Sequence, residues 1–142
     1  MNETIRKFGY PATLVKEFEH WLVLVRPAQP TLGSLILAAK SDATAFPALS
    51  EEAFTEQRHV VCAIETALSG FAGYAKINYL MLMMVDPHVH YHVIPRYEGA
   101  RQFGGLVFHD AGWPKVPALG EAVALDDGQI TALVADLATR FG

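Results

Sequence analysis

The sequence predicts an α+β fold, an antiparallel β-sheet accompanied by one long helix and a C-terminal helix. Three observations lead there. Short β-favouring runs recur along the chain, each bounded by Gly or Pro. Only one long apolar stripe at helical spacing lies between them. One stretch, His88-Val89-His90-Tyr91-His92, alternates with the period of two that marks a strand. A doubly wound parallel sheet needs a helix between successive strands, and this chain does not supply them.

Taken in order, the chain turns near Tyr10-Pro11, and Thr13 to Glu19 follows as a first strand with Leu14, Val15 and Phe18 apolar. Trp21 to Val25 is a compact β-favouring run with Trp21 assigned to the core, and Leu35 to Ala38 is the next. Between them Pro27, Pro30 and Gly33 bound a loop. Ser50 is placed as an N-cap, with Glu51 and Glu52 suited to the positive end of a helix. Phe54, Val61, Ile64 and Leu68 make its buried stripe, Cys62 falls in the same apolar pattern as an inert buried thiol, and Gly70 is the expected stop. Two strands follow, about Ala75 to Val85 and Val89 to Pro95. The segment from Gly99 to Leu119 is too irregular to assign, with Phe103-Gly104-Gly105 and Trp113-Pro114 read as packed loop. Asp126 or Asp127 caps a last helix whose apolar face is Ile130, Leu133, Val134, Leu137 and Phe141.

Bulk properties narrow the function. The 142 residues are 51% hydrophobic and 18% charged, which fits one folded domain spanning 1–142 rather than a disordered chain. A net charge of −4 argues against a broad nucleic-acid surface. The single cysteine leaves no intrachain disulfide, and no run approaches the ~20 apolar residues of a membrane span. With no signal-peptide pattern in the first ten residues, a cytoplasmic protein with no membrane partner is expected.

The three alternating histidines carry the chemistry. On a strand His88, His90 and His92 share one face, spaced roughly 6–7 Å apart, while Val89, Tyr91 and Val93 pack on the core. Neutral imidazole is a nitrogen nucleophile towards phosphorus near its pKa of about 6.5, and a second imidazole acts as proton donor. The same His-x-His pattern also suits a transition metal, so a metal-binding protein using the three as ligands remains open. His20, His59 and His109 stand in no metal-ligand spacing. Arg96 and Arg101 follow the strand and are read as surface charges within reach of a phosphate. The methionines at 81, 83 and 84 are read as core.

The run His88-Val-His90-Tyr-His92-Val-Ile, with Pro95-Arg96-Tyr97 after it, resembles the signature of the histidine-triad (HIT) family. The resemblance extends over roughly residues 14–97, through Phe18 to Val25, Pro27 to Leu37, Leu49 to Glu52 and Lys76 to Leu80. It implies a HIT-like fold, a homodimer, a nucleotide substrate and no cofactor. It implies hydrolase or nucleotidyl-transferase chemistry in which His90 attacks the α-phosphorus of a nucleoside phosphoramidate or dinucleoside polyphosphate. His88 and His92 would orient His90 and contact phosphate oxygens, with Asn78, Ser34 and Arg96 as substrate-binding candidates; Asn78 also fits a plain solvent-facing strand residue. The chain departs from the pattern at Ser34 and Asp42, where many relatives carry histidine. It departs again at Met81 to Pro87, where relatives place glycine and a polar side chain near the phosphate. A nucleotide-binding sensor with poor turnover is therefore the alternative from another class.

Overall fold

The computed structural model describes residues 1–142. Its helices are α1 (Glu3–Lys7), α2 (Glu51–Ala72) and α3 (Asp127–Thr139). Its strands are β1 (Leu14–Glu17), β2 (Trp21–Val25), β3 (Ala28–Gln29), β4 (Leu35–Ala39), β5 (Lys76–Leu80), β6 (His90–Arg96), β7 (Ala100–Phe103), β8 (Leu106–His109) and β9 (Val123–Ala124). Five strands form an antiparallel sheet in the order β1-β2-β4-β6-β5, as the α+β expectation required. The strands β3 with β9 and β7 with β8 form two small ribbons.

The central strands read as unbroken apolar runs because both faces of the sheet are covered. On one face Trp21, Val23, Val25, Leu35, Leu37 and Val93 pack against Val60, Ile64 and Leu68 of α2 and Leu133 and Leu137 of α3. Trp21 is buried as expected, its indole N–H donating to the Ala53 carbonyl at 2.8 Å. On the opposite face Leu22, Leu24, Ile36 and Ala38 meet Ile5 of α1. That second layer was not anticipated. A five-residue helix shows no periodicity, and α1 is held instead by the Asn2 side chain, which accepts from the Ile5 N–H and donates to the Ala39 and Ser41 carbonyls.

Helix α2 starts at Ser50 as expected, with the Ser50 hydroxyl accepting from the Ala53 N–H. It passes through Gly70 and stops two residues later than expected, because the left-handed residue that ends it is Gly73 (φ 59°). The inward stripe is Ala53, Val60, Ile64, Ala67 and Leu68. Phe54 lies outside it, 39% exposed and against Phe46, and Cys62 is exposed rather than a buried thiol. Helix α3 begins at Asp126 in a capping box with Gln129.

The segment after the histidines is more ordered than the sequence suggested. Gly104-Gly105, both at positive φ, turn the β7–β8 hairpin. Arg101 leaves the histidines altogether and donates to the Ala72 and Gly73 carbonyls at the end of α2. Strand β5 is also shorter than Ala75 to Val85. It ends at Leu80, and residues 81–89 form a loop on which Met84 is 87% exposed, so this methionine is not core. No helix is long and apolar enough to cross a membrane.

Candidate active site

Strand β6 places two of the three histidines as expected and the third differently. His90 and His92 are opposite Ala38 and Ile36 of β4, on the α1 side of the sheet, while Tyr91 and Val93 turn towards the α2 layer. His88 precedes the strand in the bend that follows Pro87. Its backbone N–H donates to the Thr4 hydroxyl at 3.3 Å, and its Nδ1 lies 2.9 Å from the same oxygen. The first histidine is thus clamped to α1 instead of pairing in the sheet.

The imidazoles do not face an open cleft. His90 is 1% and His92 8% exposed, because the Phe8 ring packs on both at centroid distances of 5.5 and 5.8 Å. The two imidazoles meet edge to face at 5.2 Å. Lys7 and Asp86 pair at 2.8 Å, tying α1 to the loop over the site. What remains is a pocket of about 140 Å³ lined by His90, His92 and Leu82 to Asp86. Met83, at φ 51°, therefore lines the pocket beside His90 and His92.

The hydrogen bonds fix the tautomers. The His90 Nδ1 lies 2.7 Å from the His88 carbonyl oxygen, which can only accept, so Nδ1 carries the proton and Nε2 keeps its lone pair. At His92 the polarity is reversed. Arg26 Nε, which can only donate, reaches His92 Nδ1 at 3.2 Å, so the His92 proton is on Nε2. Burial first, then repulsion from Arg26 and His90, lowers the His92 pKa to about 4, against a weaker opposing pull from Asp86. Near neutral pH His92 therefore presents a neutral Nε2–H donor beside the His90 ring. Burial also lowers the Arg26 guanidinium below its ordinary value. Arg26, held in turn by the Ala28 carbonyl at 2.5 Å, was missed by the sequence reading, since nothing local marks a partner 66 residues away.

The other candidates divide. Ser34 is fully buried and its hydroxyl is spent inside the loop, donating to the Thr31 carbonyl at 2.7 Å, so it presents no free group to a ligand. Arg96 is not a surface charge. It is 4% exposed and forms a two-point ion pair with Asp110, Nε to Oδ2 at 2.6 Å and Nη2 to Oδ1 at 3.0 Å. Its Nη1 donates to Asn78 Oδ1 at 2.8 Å, which orients the amide and leaves Nδ2 as the free donor. Asn78 is on the histidine face of β5, across from Ile94 and two residues from Leu80, the partner of His92. Asp42 is exposed. No three His, Cys, Asp or Glu side chains are grouped as a metal-ligand set, and both His90 and His92 engage Nδ1 elsewhere; the histidines do not form one three-ligand cage.

No family model matches the chain, and no curated protein matches it. Solved structures do. A histidine triad protein of Bradyrhizobium japonicum is 19% identical, with a TM-score of 0.76 over 100% of this chain and 97% of that one. A hypothetical histidine triad nucleotide-binding protein of Sulfolobus tokodaii is 16% identical, with a TM-score of 0.70 over 97% of this chain and 89% of that one. A HIT family protein of Bacillus anthracis is 26% identical, with a TM-score of 0.58 over 66% of this chain and 70% of that one. With the sheet order, the long α2 and the paired imidazoles of β6 already described, these likenesses establish that the chain has the histidine-triad fold.

Proposed function

We propose that this protein is a nucleotide-binding hydrolase or nucleotidyl transferase that works through a nucleotidyl-histidine intermediate on His90. The observation that carries the reading is the 2.7 Å contact from His90 Nδ1 to the His88 carbonyl, which leaves Nε2 as a free nucleophile beside the His92 N–H. The fold likeness to a protein described as nucleotide-binding supports the substrate class. His90 Nε2 attacks the α-phosphorus of a nucleoside phosphoramidate or dinucleoside polyphosphate. The N–P bond forms as the bond to the leaving group breaks and its electron pair departs with that group. Water or another acceptor then attacks the same phosphorus and releases the imidazole. The His92 N–H and the Asn78 amide offer donors to phosphate oxygens as charge builds there. The 140 Å³ pocket holds a phosphoryl group, and the nucleoside extends beyond it. We further propose a homodimer, because β5 is an edge strand with its outer side unpaired.

The test is turnover of adenosine phosphoramidate and diadenosine polyphosphates by wild type and His90→Ala, with and without chelator. Chelator-resistant release of nucleoside monophosphate that disappears in the variant is expected. Nucleotide binding without turnover would replace the hydrolase by a sensor, and loss of activity only with chelator would replace the covalent route by a metal-dependent one.

A further inference from the structure

Helix α1 and the histidine run are matched in length. Thr4 and Phe8, at the start and end of the helix, are one turn and about 6 Å apart and share a face. Alternate histidines in extended chain are spaced by a similar step, roughly 6–7 Å. Thr4 accordingly reaches His88, while Phe8 packs on His90 and His92. Neighbouring contacts hold the helix in that position. Asn2 donates to the Ala39 and Ser41 carbonyls, Ile5 is buried with Leu22, Leu24 and Ile36, and Lys7 pairs with Asp86.

Thr4 is 2% exposed, and its hydroxyl has two partners, both on His88. The His88 backbone N–H can only donate, so the hydroxyl oxygen accepts from it at 3.3 Å. The hydroxyl proton then has one acceptor within reach, the lone pair of His88 Nδ1 at 2.9 Å. With Nδ1 protonated instead, a buried O–H would be left without an acceptor, which costs more than the bond itself contributes. Neutral His88 therefore carries its proton on Nε2.

The contact passes on to His90. The ladder between β4 and β6 begins at His90, so the His88 carbonyl is outside it and accepts from the His90 Nδ1–H at 2.7 Å. The peptide that carries this carbonyl is held on its far side by the Val89 N–H, which donates to the Ala43 carbonyl at 3.1 Å. Val89 thus fixes the plane of the peptide, and Thr4 fixes the residue that leads into it.

We propose that Thr4 is a positioning residue for the nucleophile. By binding both the backbone and the ring of His88, it sets the His88 tautomer and aims the carbonyl that holds the His90 proton on Nδ1. Thr4 lines no part of the histidine pocket and acts only through His88. The kinetic consequence rests on His90 as the attacking group; the tautomers do not. Docking of α1 and orientation of His90 thereby become one equilibrium, in which the helix readies the imidazole as well as covering it.

The test compares wild type with Thr4→Val, which keeps the branched shape without the hydroxyl, and with Thr4→Ser, which keeps the hydroxyl. Imidazole nitrogen shifts, measured by NMR at alkaline pH where an imidazole is neutral, report tautomer and hydrogen bonding ring by ring. Wild type is expected to show His88 protonated on Nε2, with Nδ1 hydrogen-bonded, and His90 protonated on Nδ1. In Thr4→Val the His88 Nδ1 signal moves to that of a nitrogen without a hydrogen bond, and His90 no longer holds a single tautomer. Thr4→Ser keeps the wild-type pattern. Wild-type His88 protonated on Nδ1 overturns the proposal whether or not Thr4→Val folds, and an unchanged His90 in folded Thr4→Val overturns it equally. Where turnover is observed, losing one neutral hydrogen bond lowers kcat about three- to tenfold in Thr4→Val, leaves KM within about twofold, and is rescued in Thr4→Ser. A change confined to KM refutes the positioning role. The spectra need no catalysis, so they tell an error about Thr4 from an error about the chemistry at His90.

Discussion

Replacing Arg26 by Met removes one donor from the site and little of its volume. In the structure Arg26 Nε is the only partner of His92 Nδ1, at 3.2 Å, and the cation adds to the burial that holds the ring neutral. A hydrogen bond from a charged donor contributes about 1.5–3 kcal/mol. If that energy is what keeps the His92 proton on Nε2 as charge develops on the phosphate, kcat/KM falls about ten- to a hundredfold. The acid limb of the pH–rate profile shifts as well. Arg26 disfavours a second positive charge, so without it the His92 pKa rises from about 4 towards the usual 6.5, stopping short because burial, the larger cause, persists. Arg26→Lys restores a cation but not a fork that reaches both His92 and the Ala28 carbonyl, and recovers only part of the rate. Nitrogen-15 spectra of the imidazoles report the tautomer directly, without any turnover. A folded Arg26→Met protein with His92 still protonated on Nε2 and an unmoved acid limb would refute the assignment of Arg26 as the residue that positions His92.

Asp110→Asn leaves the Arg96 guanidinium buried without its counter-ion, in a pair whose side chains are 5% and 1% exposed, and it weakens the cap on the Tyr97 N–H. The expected loss is about 3–5 kcal/mol, visible as a melting temperature lower by roughly ten degrees, and a loss under about 1 kcal/mol would mean the pair is solvated. Acid titration gives a third check. Because the folded His92 pKa lies below its unfolded value, the unfolded chain binds the extra proton first, so this group's contribution is full above about pH 6.5 and is lost as pH falls to about 4. The loss approaches about 3 kcal/mol over the whole range, and about half of it falls between pH 6.5 and 5, so stability of His92→Gln should fall less steeply than that of wild type across that window by about 1.5 kcal/mol.

What could be read in the sequence is what repeats locally. The alternation at 88–92 set the strand and the shared face of His90 and His92, because a period of two survives whatever the sheet around it. The caps at Ser50 and Asp126 were legible for the same reason, each a side chain acting three residues ahead. His88 escaped because the Thr4 hydroxyl, 84 residues away, takes over the hydrogen bonds that the strand would have made. Arg96 was taken for a surface charge because its counter-ion Asp110 lies 14 residues on, just past the β7–β8 hairpin. Gly70 was taken as the stop because it follows the apolar stripe; Gly73 follows it too, and only backbone geometry shows that it is the left-handed residue. The β7–β8 hairpin was recoverable from Gly104-Gly105, but its strands, Ala100–Phe103 and Leu106–His109, are too short and mixed to show alternation.

The strap made by residues 2–8 has a consequence for how the molecule breathes. Thr4, Lys7 and Phe8 reach His88, Asp86 and both buried imidazoles, yet α1 is five residues long and contributes only Ile5 to the fully buried layer. Such a segment detaches at far lower cost than the sheet unfolds. Its opening frees the imidazoles to solvent while β4 and β6 stay paired, so amide exchange in residues 3–8 should run ahead of exchange in the strands. The buried imidazoles of His90 and His92 are thus covered on the α1 side by a short strap whose detachment would bare them without unpairing the sheet.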